Sequence, residues 1–420
     1  MQNHSVNIPI RAWFGDQSLL LTFPKNWSVQ ECRMDGHGAK PLGYDELRKQ
    51  IDEPIGAKPL SSIAKGKKQA VIVFDDLTRP TPVKDIVPPV LDILAKAGVG
   101  PGQIRFISAL GTHRAMTRDE WAKKLGEDIV ENYPVYNHNA HEHLVDLGKS
   151  SSGTPILANR EYMSCDLRIG IGCIIPHVDA GFSGGLKIIL PGVVGMKTIN
   201  YNHMKVMPRN PDGSISEFTF GKVYGNKLRD DAHEVARKVG IDYKIDAIVN
   251  EKRETVKIYA GDGFDSFYEG VKFGKKFYAT MPALGVDITV SNTFPIENEA
   301  GKALWPCYLS TREDGDAVVI THSPDGQIHH YGNTRFGTEY GGEQFAMARK
   351  LPRASYGRTH ILNPFHAKMD TEYFGPMDSS FLYKTWDSVI SKLAGQYPDG
   401  AKVAVYPYSS IQCPPFPEDL

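Results

Sequence analysis

Five consecutive apolar residues, Ala70–Phe74, are followed at once by the polar run Asp75-Asp76-Leu77-Thr78-Arg79-Pro80. A run that is apolar at every position, with no alternation, suits a strand covered on both faces, and such strands belong to parallel sheets flanked by helices. The same grammar repeats along the chain. Residues 84–97 read as a helix, 104–110 as a strand ending in Gly111-Thr112-His113-Arg114, and 117–125 as the next helix. Residues 166–175 read as a strand running into Pro176-His177, 230–239 as a helix, 244–250 and 255–259 as strands, and 264–278 as a long helix. A second series places strands at 287–291, 316–321, 360–362 and 402–406, with a helix over 379–395 among them. The first sixty residues are rich in Gly and Pro and fit no clear pattern. The expected fold is α/β with two domains, each a largely parallel sheet flanked by helices. Residues 1–278 form the first domain and 279–406 the second, with a Pro-rich tail, 407–420, packing back on the first.

Length supports that division, since 420 residues exceed what one ordinary core organises. Lys plus Arg number 48 against 49 Asp plus Glu, a balance that argues against a broad nucleic-acid surface while leaving room for a local anion pocket. No apolar run approaches the roughly 20 residues of a membrane-spanning helix. The N-terminal residues lack the basic-then-apolar pattern of a secretory signal. The 5 cysteines are scattered without a CxxC pair, which points away from a disulfide framework or zinc knuckle and toward the reducing cytoplasm.

The polar clusters 75–79, 111–114, 176–187 and 292–302 each follow the carboxyl end of an expected strand. In open parallel sheets the ligand crevice lies there. Four such loops are expected to converge on a cleft between the two domains. The densest of them is Ile175-Pro176-His177-Val178-Asp179-Ala180-Gly181-Phe182-Ser183-Gly184-Gly185-Leu186-Lys187. Its glycines free the backbone to approach a ligand. His177 is a candidate acid/base or metal ligand, and Lys187 a nucleophilic amine or anion contact. Ile188 after the lysine breaks the phosphate-loop pattern, and a Gly-rich turn with a surface lysine is the plain alternative. His113 suits proton transfer near neutral pH, although a lone histidine after a strand is more often structural. Asp75, Asp76 and Arg79 suit orienting a histidine and gripping a carboxylate, against the commoner outcome of a helix cap with a local ion pair. His203 reads by itself as a buried, hydrogen-bonded histidine. The group His138, His141 and His143 lacks a fourth ligand and reads as structural or solvated, and His329-His330 as surface.

Five segments in this order resemble the lactate racemase family: DDLTRP (Asp75–Pro80), GTHRAMT (Gly111–Thr117), NHN (Asn137–Asn139), IPHVDAGFSGGLKIILPG (Ile175–Gly192) and NH (Asn202-His203). They cover the first half of the chain closely; the second half is similar in strand order and in residues 291–302. The resemblance implies a nickel-pincer nucleotide, a pyridinium mononucleotide whose two sulfur-bearing arms and ring carbon grip nickel. Lys187 would be joined to one arm through a thioamide bond, and His203 would complete the metal's coordination plane, a donor set that suits square-planar nickel. Asp75, Thr78, Gly184 and Gly185 would line the nucleotide. His113 and His177 would be paired acid/base residues, one on each face of the substrate. Asp76 and Arg79 would hold the reacting groups, and Lys302 would meet the substrate carboxylate. The implied reaction is racemisation or epimerisation at C2 of a 2-hydroxy acid. The hydroxyl proton passes to a histidine and the α-hydrogen to the cofactor as hydride, giving a transient 2-keto acid. Proteins that make the cofactor are the implied partners, together with the small-molecule substrate.

Glu299 departs from the family pattern, in which lactate-racemising members carry a glutamine three residues before the lysine. A carboxylate there disfavours a second substrate carboxylate and suits hydroxyl donors. A polyhydroxy acid therefore fits better than malate, and lactate would leave Glu299 without a partner. Two competing readings are an NAD-dependent 2-hydroxy acid dehydrogenase and a noncatalytic nickel- or anion-binding α/β protein. The first requires a GxGxxG turn after an early strand, and the chain has none. The second leaves His113 and His177 without a role.

Overall fold

The apolar runs become strands of two parallel sheets in the computed structural model, which describes residues 4–208, 219–328, 356–367 and 380–417. The chain divides into two compact units. One holds residues 38–208 and 219–274; the other holds 4–37, 275–328, 356–367 and 380–417.

The first unit carries a six-stranded sheet in the order Thr255–Gly261, Tyr243–Val249, Leu167–Cys173, Ala70–Phe74, Ile104–Ser108, Val135–Asn137. Only the edge strand Thr255–Gly261 runs antiparallel. Every residue of Ala70–Phe74 is fully buried, as expected for a central strand with both faces covered. On one face Val71 and Val73 join a core with Val235, Ala236 and Val239 of helix Lys227–Val239. Asn226 caps that helix, its side chain accepting from the Arg229 amide.

The second unit carries a six-stranded, all-parallel sheet ordered Ser380–Tyr383, Arg358–Leu362, Thr311–Ile320, Val286–Asn292, Lys402–Tyr406, Ser28–Glu31. Here the expected boundaries need correction. The N-terminal residues belong to this unit, because Ser28–Glu31 pairs with Lys402–Val405. The hairpin Ser5–Ile10 and Gln17–Thr22 sends Val6, Ile8, Ile10 and Leu21 into the same core as Ile288, Val290 and Val318. The alternation in Ser5–Ile10 was there to be read, but each strand is short and borrows its core from residues nearly three hundred positions away. The tail also stays with this unit, since the Thr280 amide donates to the Cys413 carbonyl at 2.8 Å. Residues expected to begin a helix at 379 instead form the strand Ser380–Tyr383. The helix starts at Trp386, where the Thr385 side chain accepts from the Ser388 amide.

At the carboxyl end of Ala70–Phe74 a buried ion pair fixes the first loop. Lys124, fully buried on helix Arg118–Leu125, sets its ammonium 2.8 Å from Asp75 Oδ1 and 2.8 Å from the Arg79 carbonyl. Thr81 Oγ1 donates to Asp75 Oδ2 at 2.5 Å. Burial pushes the Asp75 carboxyl up from its ordinary range, and the Lys124 ammonium opposes that push.

Two substitutions test these packing assignments in a denaturant titration. Trp27 is 1% exposed and its Nε1 donates to the Tyr397 carbonyl at 3.2 Å. Trp27→Ala should cost about 3–5 kcal/mol, whereas a cost near zero would show that the N-terminal segment is not part of the second core. Lys124→Ala should cost about 3–5 kcal/mol by stranding a buried carboxylate, and Asp75→Asn in the same chain should recover part of it. A loss under about 1 kcal/mol would mean that the pair behaves as a solvated one.

Candidate active site

Three of the polar clusters follow neighbouring strands of one sheet. Asp75 and Asp76 follow the central strand Ala70–Phe74. His113 follows Ile104–Ser108 on one side of it, and His177 follows Leu167–Cys173 on the other. His113 Nδ1 lies 2.5 Å from Asp76 Oδ2. Asp76 Oδ1 accepts from the Thr78 amide at 3.0 Å and the Thr78 hydroxyl at 2.5 Å. Burial alone would raise the Asp76 carboxyl, but His113 and the Thr78 donors hold it well below the usual carboxylate range. An ionised carboxylate only accepts, so Nδ1 carries the proton and Nε2 presents a lone pair. Arg79 Nη1 donates to the Thr78 carbonyl at 2.8 Å and to its hydroxyl at 2.9 Å, which ties its guanidinium to the same loop.

The Gly-rich segment forms a two-residue-strand hairpin, Pro176–His177 against Gly181–Phe182. The amides of Asp179 and Ala180 donate to His177 Nδ1 at 3.1 and 3.2 Å. Gly184 and Gly185 take positive φ values of 91° and 59°, which only glycine adopts without strain. Their Cα hydrogens face the protein. A Cβ on Gly184 would lie 2.9 Å from the Cys173 carbonyl oxygen, and one on Gly185 would lie 2.7 Å from the Phe267 ring. The Gly185 amide donates to Asp246 Oδ2 at 2.8 Å, and Asp246 Oδ1 meets the fully buried Lys244 ammonium at 2.6 Å. These glycines serve close packing and an internal bond.

Lys187 lies on the turn Gly185–Ile188 and is half-buried. Its charge, with those of Arg229 and Arg237, adds to burial in driving the His233 imidazole down to about 2. His203 lies in a one-turn π-helix, Asn202–Val206, and its Nδ1 is 3.0 Å from the Ile199 carbonyl. A carbonyl only accepts, so Nδ1 holds the proton and Nε2 is the ring's lone-pair nitrogen. A π-turn of this kind is frequent at functional sites.

Lys302 and Glu299 fall in the second unit, on the turn Glu297–Ala303, and form an ion pair with each other. Glu297 anchors that turn. Its carboxylate accepts from the Ala12 amide at 2.7 Å, the Arg11 amide at 3.0 Å and the His322 amide at 3.2 Å. Burial and the Arg11 charge bring His322 down to about 4.

The remaining histidines sort as expected. His138 is buried between the Val194 carbonyl and Asn159, and burial lowers it to about 4. His141 and His143 are exposed. Among the described residues no three His, Cys, Asp or Glu side chains gather to hold a metal. His329-His330 lies outside the described residues. Sequence reading missed Lys124, Arg229 and Asp246. Each hides in a run of charged or apolar residues typical of a solvated helix face or a strand, and only the fold shows that all three are buried.

Residues 14–213 match the family of lactate racemase N-terminal domains. The chain is 30% identical over 289 residues to a lactate racemase of Lactiplantibacillus plantarum, and 28% identical over 289 residues to one of Thermoanaerobacterium thermosaccharolyticum. Each alignment covers 67% of this chain and 66% of the relative, just under two thirds of the relative's length. The fold is similar to that of the lactate racemase apoprotein from T. thermosaccharolyticum, with TM-score 0.71, 22% identity, and 97% and 99% of the two chains covered. A Thermotoga maritima protein also shares it, with TM-score 0.66, 16% identity, and 89% and 98% coverage. By the family model and these curated relatives, the chain belongs to the lactate racemase family.

Proposed function

We propose that this protein is a racemase or epimerase that inverts C2 of a 2-hydroxy acid, working with a nickel-pincer nucleotide joined to Lys187. The observation that carries the reading is the His113–Asp76 pair. A histidine whose Nδ1–H is fixed by a buried carboxylate offers a basic Nε2 at a strand end. The curated relatives named lactate racemases support the reaction class.

The residues present fit the nucleotide at two points. His203 offers one imidazole Nε2, held by the Ile199 carbonyl in the tautomer a metal requires. Lys187 is a half-buried amine on the turn Gly185–Ile188. Asp75, Thr78 and Gly185 each have partners inside the protein, so their contribution is to shape the loops that would surround the nucleotide. When bound, the nucleotide supplies an acceptor for the C2 hydrogen as hydride and so avoids a carbanion next to a carboxylate. His113 Nε2 takes the hydroxyl proton, and His177 faces the same reacting oxygen from the other side of the central strand. Asp76 keeps His113 in its tautomer. Arg79 supplies a cation for the substrate carboxylate. The cytoplasm is the proposed location, with cofactor-making proteins as maturation partners.

Protein co-produced with cofactor-making enzymes should carry a mass adduct on the Lys187 peptide and about one nickel per chain. It should then interconvert the enantiomers, or C2 epimers, of at least one of lactate, malate and gluconate. Lys187→Ala should lack the adduct and the activity. His203→Ala should lower bound nickel, whereas His113→Ala should keep it and lose about 10²–10⁴-fold in turnover. Full activity of Lys187→Ala would overturn the assignment.

A further inference from the structure

The start of helix Lys227–Val239 bonds both to the hairpin that carries His177 and to the π-turn that carries His203. Asn226, which caps the helix, and Arg229 serve the hairpin. Asn226 Nδ2 donates to the Asp179 carbonyl at 3.0 Å, and Arg229 Nε donates to the Ala180 carbonyl at 2.9 Å. Arg229 Nη2 donates to the Phe182 carbonyl, while Nη1 lies 3.4 Å from His233 Nε2 and the guanidinium stacks 4.2 Å from the Phe267 ring centroid. Burial lowers Arg229 only to about 10, so it stays charged at neutral pH and its bonds to the carbonyls are charge-assisted. Asp179 and Ala180 in turn aim their amides at His177 Nδ1, 3.1 and 3.2 Å away, so the ring takes its orientation from this turn. Leu228 and Asp231, three residues apart and neighbours on the helix surface, serve the π-turn. Asn202, the first residue of that turn and 1% exposed, donates from Nδ2 to the Leu228 carbonyl at 3.1 Å and to Asp231 Oδ2 at 2.8 Å. The Asp231 carboxylate also accepts from Ser150 Oγ at 2.6 Å and Thr154 Oγ1 at 2.8 Å, in the loop joining strands Leu144–Lys149 and Pro155–Asn159. Leu228 joins the two sides, forming a small apolar cluster with Ala180 of the hairpin and Met207, the residue after the π-turn.

We propose that the first turn of this helix is a bracket that holds His177 and His203 in fixed relation. Asn226 and Arg229 are positioning residues for the His177 ring, and Asp231, acting through Asn202, is one for the His203 ring. The proposal rests on the racemase reading, in which His177 is an acid/base residue and His203 a metal ligand, and it gives neither a new chemical role. Such groups must be held within roughly 0.5 Å of their working positions. A hairpin of two-residue strands has too few internal bonds to do that alone, and a single π-turn has no more. The helix can do it, because Val235, Ala236 and Val239 farther along it share a core with Val71 and Val73 of the central strand. The Ile199 carbonyl fixes the His203 ring at 3.0 Å from Nδ1, and Asp231 fixes the turn from which that ring projects. Among the described residues the two branches share only Leu228. Removing one branch should therefore loosen its own turn and spare the other.

Hydrogen exchange on the full chain without cofactor tests the bracket by itself. Arg229→Met keeps much of the side-chain volume and removes the donors. Asn226→Ser is milder, keeping a helix cap while dropping the amide donor. Arg229→Met should speed exchange of the amides in residues 177–183 by about tenfold, the effect of losing one charge-assisted hydrogen bond, and Asn226→Ser by less. Both should leave residues 202–206 at the wild-type rate. Asp231→Ala and Asn202→Ala should do the reverse. Equal loosening of both segments by every variant, or wild-type protection of both in every variant, overturns the proposal. Loaded protein supplies the second readout, using whichever of lactate, malate or gluconate the wild type converts. Asp231→Ala should weaken nickel retention against EDTA by about 10–100-fold, the usual effect of removing an outer partner of a metal ligand, with the Lys187 adduct kept. Asp231→Asn, which can still accept from Asn202, should recover part of that loss. Arg229→Met should retain nickel as the wild type does and lose turnover per nickel. Nickel loss from Arg229→Met equal to that from Asp231→Ala counts against the two separate branches. A wild type with neither racemisation nor a Lys187 adduct would remove the racemase reading, while the exchange pattern would still decide whether the bracket exists.

Discussion

Two ammonium–carboxylate pairs buried at the strand ends hold the candidate site together. Lys124 with Asp75 and Lys244 with Asp246 meet over Gly172. A Cβ on that glycine would lie 3.3 Å from Lys244 Nζ, 3.4 Å from Asp246 Oδ1 and 3.5 Å from Asp75 Oδ2. Burying such pairs brings little net stability, because desolvation cancels most of the attraction. Their second bonds show what they do here. Lys124 also holds the Arg79 carbonyl, and Asp246 also holds the Gly185 amide. Each pair ties one of these loops to the sheet, so the loop carrying Asp76 and Arg79 and the loop carrying Lys187 take their shapes from charges beneath them.

The same principle sets the character of three histidines. In each, the protein engages Nδ1. A carboxylate faces Nδ1 of His113, paired amides face that of His177, and a carbonyl faces that of His203. Three identical side chains thus sit in three different hydrogen-bond settings.

This distinction explains what the sequence made legible. The strands of the first sheet and the polar ends that follow them could be read, because an apolar run such as Ala70–Phe74 has few other destinations. The residues His113, His177 and His203 were visible from their motifs. The bonds that hold the His177 turn were not, since they come from the distant side chains of Thr219, Asn226 and Arg229. The N-terminal hairpin escaped assignment for a related reason. Val6, Ile8 and Ile10 alternate correctly, but the core they join, with Ile288 and Val318, forms only when the ends of the chain come together. The helix expected over 379–395 erred at its start, where the β-prone Ser380-Phe381-Leu382-Tyr383 pairs with Thr359–Leu362 before Thr385 caps the true helix.

The Glu299–Lys302 pair changes the substrate argument. From sequence, lactate remained possible but left Glu299 without a partner, and the plain alternative was that Glu299 faces solvent or pairs with Lys302; the structure shows the pair with Lys302, with side-chain exposures of only 8% and 11%. The objection to lactate therefore fails. The objection to a dicarboxylate survives, and on firmer ground. If Lys302 meets the substrate carboxylate as the family resemblance implies, that carboxylate must share one ammonium with Glu299 in a poorly solvated turn, and like charges at that range repel. A further substrate hydroxyl, beyond the one at C2 that faces His113, would relieve the crowding by donating to Glu299. A second carboxylate adds another negative charge and no donor. On that condition the pair would disfavour a second carboxylate by the cost of sharing one cation.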